Sequence, residues 1–225
     1  TDSGDTAAKP PVFVATLVPT ENPLARRIAV VTVPPASVVV TYGDELAAWR
    51  VTSPLGQEHL MLALGLPAEA TTRFHVEATD EAGNVSTAAL EYATGALPWG
   101  LFGATVLVAA PDPTQAFTLI NTFIQNADLP PAVEVLDRFG RVVWYHQYDS
   151  GITEGGVDAE MTGAGDVLIG GSIASGQAAK AVAADGTPVW VGPVQPGYFE
   201  DGYDHHSTTL LSDNTILSLE ASVRD

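Results

Sequence analysis

Gly140-Arg141-Val142-Val143-Trp144 is echoed by Gly186-Thr187-Pro188-Val189-Trp190, and the two tryptophans stand 190 − 144 = 46 residues apart. Each copy follows an apolar run that ends in a turn, Ala132 to Asp137 in the first and Lys180 to Asp185 in the second. Each is followed by another strand–turn–strand pattern: Met161 to Ile169 around Gly163-Ala164-Gly165-Asp166, then Thr208 to Leu217 around Ser212-Asp213-Asn214. A period in the forties with about four short strands per unit predicts the blades of a β-propeller. In such a blade the tryptophan ends a hairpin and covers the apolar face towards its neighbour.

Residues 97–225 hold 129 positions, fewer than three such periods. A propeller closes with at least about four blades. The pattern therefore implies a partial propeller, completed either by further blades on a longer chain, which is the expectation taken here, or by partner chains.

Working outward, residues 12–94 read as strands and turns. Val12 to Val18, Arg27 to Val33, Ser37 to Tyr42 and Trp49 to Ser53 have strand length and β-branched content, with Pro34-Pro35 and Gly43-Asp44 as punctuation. Phe74, Val76 and Ala78 alternate with Arg73, His75 and Glu77, which predicts one buried and one wet face. Asp80 to Asn84 supplies a turn before Val85 to Ala93, and Asn84-Val85-Ser86, though of glycosylation-acceptor form, reads as part of that turn. The stretch resembles a fibronectin type III or related immunoglobulin-like sandwich, departing from it at Thr72, where that family has its corner tyrosine. His75 and His59 both read as solvated strand residues. Thr94-Gly95-Ala96-Leu97-Pro98 marks the boundary to the repeats. Ahead of the sandwich, residues 1–11 (TDSGDTAAKPP) carry too little apolar surface to offset the entropy of ordering, and read as a flexible leader. The fold class expected is all-β.

Nine basic against 27 acidic residues give a net charge of −18, a surface that repels phosphate backbones and excludes nucleic acid as a partner class. No run of 18 apolar residues is present to span a membrane as a helix. The absence of cysteine excludes disulfides and thiolate metal sites. Together with the leader, the composition points to an exported protein, periplasmic, cell-surface or extracellular, anchored through a removed lipidated leader or free.

The only cluster of imidazoles is Asp204-His205-His206, which opens the run Thr208-Thr209-Leu210-Leu211. Adjacent residues on a regular strand point to opposite faces, so only one of His205 and His206 can face a cavity. Three readings stay open: a structural or solvated pair at a strand end, a site residue in a channel, or metal ligation with Asp201 and Asp204. His146, after Trp144-Tyr145, reads as a strand-end residue.

Val135-Leu136-Asp137-Arg138-Phe139-Gly140-Arg141-Val142-Val143-Trp144-Tyr145, Asp185 to Trp190, and Asp204-His205-His206 with Leu210 to Leu217 resemble the bacterial arylsulfotransferases of the aryl-sulfate sulfotransferase type. That resemblance implies a six-bladed propeller behind a β-sandwich, no cofactor, and ping-pong transfer of a sulfuryl group from a phenolic sulfate donor to a phenol acceptor through a channel histidine. It places His206 and His205 at an earlier channel position and the nucleophile beyond Asp225. Against it, the basic residues from 97 onward are Arg138, Arg141, Lys180 and Arg224, facing 16 acidic ones, a field that opposes an anionic ester. The alternative from another class is a non-catalytic exported surface protein, a homo-oligomer or fibre subunit, that uses sandwich and propeller for binding or assembly.

Overall fold

A computed structural model describes residues 9–44, 46, 48–98, 100–101, 103–107, 117–122, 132–147, 157–171, 179–191, 202–210 and 216–222. All the described elements are strands, and the fold is all-β. The chain divides into two units, Thr1–Gly95 and Ala96–Asp225. The leader expected over 1–11 falls, except for residues 9–11, outside the described residues.

The first unit is one five-stranded antiparallel sheet of β1 (Val12–Val18), β2 (Arg26–Gly43), β3 (Ala48–Ala63), β4 (Thr71–Asp80) and β5 (Val85–Ala93). β2 changes neighbours part-way: residues 27–33 pair with β1 and residues 36–43 with β4, while β3 follows its other edge. Ile28 and Val30 from its first half and Val38 and Val40 from its second enter one cluster with Met61, Phe74 and Val76. The sheet thus curls around a single core, as the two layers of a sandwich do. Burying each of these side chains contributes roughly 1.5–3 kcal/mol relative to leaving it exposed. The alternation expected in β4 is present, with Phe74, Val76 and Ala78 buried and Arg73 and His75 exposed.

Pro34-Pro35 does not end a strand, as the sequence had implied; β2 runs straight through it. The prolines sit at the handover from β1, whose last partner is Val33, to β4, whose first is Ala36, so neither neighbour needs their missing N–H groups. On the β3 side the register jumps between Val31 and Ala36, and the Thr32 hydroxyl donates to the Gly56 carbonyl at 2.9 Å instead. β3 likewise continues past Ser53 to Ala63. The start of β2 is tied to the end of β5 by Arg26, which donates to the Tyr92 hydroxyl and lies 3.8 Å over that ring.

The second unit contains antiparallel meanders, as in propeller blades. β6 (Phe117–Thr122), β7 (Ala132–Asp137) and β8 (Val142–Gln147) form a three-stranded sheet. β9 (Val157–Met161), β10 (Val167–Gly171), β11 (Ala179–Val182) and β12 (Pro188–Val191) form a four-stranded one, and β13 (Gly202–Leu210) pairs with β14 (Ile216–Ser222). Val133, Val135, Val143 and Trp144 of the first sheet share a core with Val167, Ile169 and Val182 of the second.

One turn recurs in both units. Around residues 80–84, 137–141, 162–166 and 183–187 the first residue's N–H donates to the fifth carbonyl, and the fourth residue's N–H to the first carbonyl. The fourth residue is Gly83, Gly140, Gly165 or Gly186, with φ between 81° and 90°. This is the type I turn closed by a glycine bulge, which a left-handed residue completes. Aspartates fix it locally: Asp80 Oδ1 accepts from Asn84 N at 2.8 Å, and Asp137 Oδ1 from Phe139 N and Arg141 N at 2.9 and 3.0 Å.

The two copies read from the sequence match beyond the turn. In β7–β8 the register passes from Val135↔Trp144 to Leu136↔Val142, leaving Val143 as an extra residue; in β11–β12 it passes from Ala181↔Trp190 to Val182↔Pro188, leaving Val189. The same one-residue bulge precedes each tryptophan.

Candidate functional site

β13 carries the histidine pair and packs on β9 and β10. Its register with β14 runs Asp204↔Glu220 and His205↔Leu219, then resumes at Thr208↔Ser218. His206 and Ser207 therefore form a two-residue bulge with no opposite partners. Such an excursion interrupts the strict alternation on which an opposite-face reading of His205 and His206 rests. The rings of both histidines, and Asp201, lie outside what the structure describes.

Glu134, which sequence reasoning passed over inside an apolar run, is the most unusual ionisable residue described. It stands on the central strand β7, directly across from Ile120 on β6 and Tyr145 on β8. It is 1% exposed, and neither carboxylate oxygen has a hydrogen-bond partner among the described residues. Burial pushes its pKa up from 4.5 to about 7. A carboxyl that is half neutral near pH 7 can hold a proton or donate one hydrogen bond, which makes this a place to look for chemistry. The signal available in the sequence was a lone acid among Ala132, Val133, Val135 and Leu136. Among the described residues, no group of three or more His, Asp or Glu side chains is arranged to hold a metal ion.

The remaining ionisable candidates have structural employment. His59 is buried rather than solvated, a correction to the sequence reading: its Nδ1 lies 2.8 Å from the Ser53 hydroxyl and its Nε2 3.1 Å from the Gly56 carbonyl. The pairing of β3 with β2 shifts register on either side of Gly56, whose carbonyl the ring reaches, an irregularity that no period-two pattern encodes. His146 stacks on Trp144 at 6.4 Å between centroids. Arg141 Nε donates to Asp137 Oδ2 at 2.7 Å, and the Arg138 guanidinium lies 4.8 Å from the Phe139 ring. Both arginines thus serve the β7–β8 turn.

A different kind of site lies on the sandwich. β1 places Phe13, Ala15 and Leu17 against the core, so Val12, Val14 and Val18 point outward. Val12 stands across from Val33, Val14 from Val31, and Leu60 from Ala29 on β2. Val12, Val14, Val31, Val33 and Leu60 are each 52–66% exposed. Alternation of this kind usually puts polar groups outside; here both faces of the β1–β2 pair are apolar.

No family model matches the chain, and no curated protein matches its sequence. Among solved structures it is similar to a chain from work on host cell-surface retention of a 1.5-MDa bacterial ice-binding adhesin, with a TM-score of 0.31 and 12% identity over 94% of this chain and 96% of that one.

Proposed function

We propose that this chain is a non-catalytic exported surface protein that self-assembles through the outer face of its sandwich. The observation behind this reading is the apolar row Val12–Val33 and Val14–Val31, bordered by Glu58 across from Val31 and with Leu60 diagonal to it, on a chain whose net charge is otherwise −18. Contiguous exposed apolar patches of a few hundred Å² or more are rare on monomeric proteins and mark interaction surfaces. The acidic remainder keeps non-specific association down, so contact is restricted to that face. Sedimentation velocity over rising concentration tests it. The wild-type chain is expected to assemble, and a Val14→Thr/Val31→Thr variant to stay monomeric with an unchanged melting temperature. A wild-type chain that remains monomeric throughout contradicts the reading.

A second reading, sulfuryl transfer from a phenolic sulfate to a phenol, is supported by the bulge at His206-Ser207, since bulges are over-represented beside active sites. Imidazole suits the task as nucleophile or proton donor near neutral pH. Transfer from nitrophenyl sulfate to phenol that disappears in His206→Ala would favour it. Transfer that survives replacement of both His205 and His206 would remove the pair from the chemistry.

A further inference from the structure

The sandwich face that carries Val14 and Val31 is electrically balanced. β1, the first half of β2 and the end of β3 alternate between the core and this face. The alternation puts one base and one acid on it: Arg27, across from Val18, and Glu58, across from Val31. The rest of the chain is not balanced. Residues 1–95 hold 11 acidic and five basic residues, and residues 96–225 hold 16 and four. Two copies that meet through this face therefore bring together net charges of −18 each, although the contact itself adds little to that repulsion.

The opposing and favourable forces differ in range. Repulsion between the two copies reaches as far as the Debye length, about 30 Å in 0.01 M salt and about 10 Å in 0.1 M. Burial of the valines acts only at contact and is not an electrostatic force, so dilute salt leaves it in place. Added salt thus removes the barrier and keeps the attraction. We propose that ionic strength switches the self-assembly of this chain: copies stay apart in dilute salt and join through Val12, Val14, Val31 and Val33 as salt rises. This rests on the assembly reading above and adds what regulates it. A contact held instead by Arg27 of one copy and Glu58 of the other has the opposite sign, because salt weakens exposed ion pairs.

The test is sedimentation velocity of the full chain with EDTA throughout. Between about 0.01 M and about 0.1 M NaCl the association constant is expected to rise roughly tenfold or more. Glu58→Gln should keep most of that rise, since it removes one of 27 acidic residues. Loss of the rise in that variant would make a single local carboxylate the gate, and overturns the proposal. An association constant that is equal in both salts, or falls as salt is added, also overturns it and leaves the assembly reading standing. So does assembly that appears only when calcium replaces EDTA, which marks a bridging ion instead of screening. The Val14→Thr/Val31→Thr variant should stay monomeric in both salts. Salt-driven assembly of that variant would move the contact elsewhere, for instance to Val189, Val191 and the 38% exposed Trp190 on the edge strand β12, and would end the proposal. A wild-type chain that is monomeric at every concentration in both salts removes the assembly reading itself, and this inference with it.

Discussion

Trp144 and Ala184 are joined by an indole-to-carbonyl hydrogen bond of 3.0 Å that spans 40 residues and links two successive sheets. The ring sits in the cluster shared by both sheets, beside Val167 and Val182, so it carries packing and polar satisfaction together. Trp144→Phe keeps most of the packing and leaves the Ala184 carbonyl without this donor, a loss of about 1–3 kcal/mol. Trp144→Ala adds a cavity and should cost about 3–5 kcal/mol. Urea denaturation of the two variants should rank them in that order.

Glu134 makes stability depend on pH in a direction opposite to that of a salt-bridged acid. Its folded-state pKa, about 7, stands above the ordinary 4.5. The stability tied to this group is therefore complete below about 4.5 and is lost as pH rises through about 7. At full ionisation the loss amounts to about 3 kcal/mol. Glu134→Gln should remove this slope, leaving the variant more stable than the parent at pH 8 and close to it at pH 4. Parallel stability curves for the two proteins across that range would show that the carboxylate finds compensation on folding.

Two glycines with the same backbone angle separate strain from crowding. Gly165 has φ 89° with nothing within 4 Å of a Cβ placed there, so Gly165→Ala pays only for the left-handed backbone, about 1–2 kcal/mol. Gly140 has φ 81°, and a Cβ there would overlap the Ala104 carbonyl, while the Ala104 N–H donates to the Gly140 carbonyl at 2.7 Å. Gly140→Ala should be the more destabilising of the two by a clear margin in thermal melts, and loss of protection should reach the 103–106 segment in hydrogen exchange.

His59 bridges Ser53 and Gly56 within β3. His59→Leu fits the buried volume but removes the ring's bond to the Ser53 hydroxyl and leaves the Gly56 carbonyl only its Thr32 donor, and a loss of about 1–3 kcal/mol is expected by denaturant titration. Ser53→Ala should cost less, since Gly56 keeps the donors from His59 and Thr32.

The repeat was readable because a turn glycine, a bulge and a tryptophan leave a local signature, and β4 was readable because its two faces differ in polarity. Where tertiary context decides, the sequence was silent. Pro34-Pro35 resembles a stop until β1 and β4 are seen to exchange places there. His59 alternates as a surface residue would, yet it is buried beside Gly56, where the pairing of β3 with β2 shifts register. Val12, Val14, Val31 and Val33 look like ordinary core valines, and only the pairing of β1 with β2 shows them outside. Glu134 was hidden by its apolar neighbours, the very residues that raise its pKa.

Trp144 of one sheet of the second unit is sealed by the β11–β12 turn of the next. Hydrogen exchange of the indole N–H groups, followed by NMR on the intact chain, tests this most directly. The Trp144 Nε1–H should exchange slowly, at rates that follow unfolding of the second unit, and the Trp190 Nε1–H at nearly the rate of a free indole. Rapid exchange at Trp144, or equal protection at both positions, would contradict it.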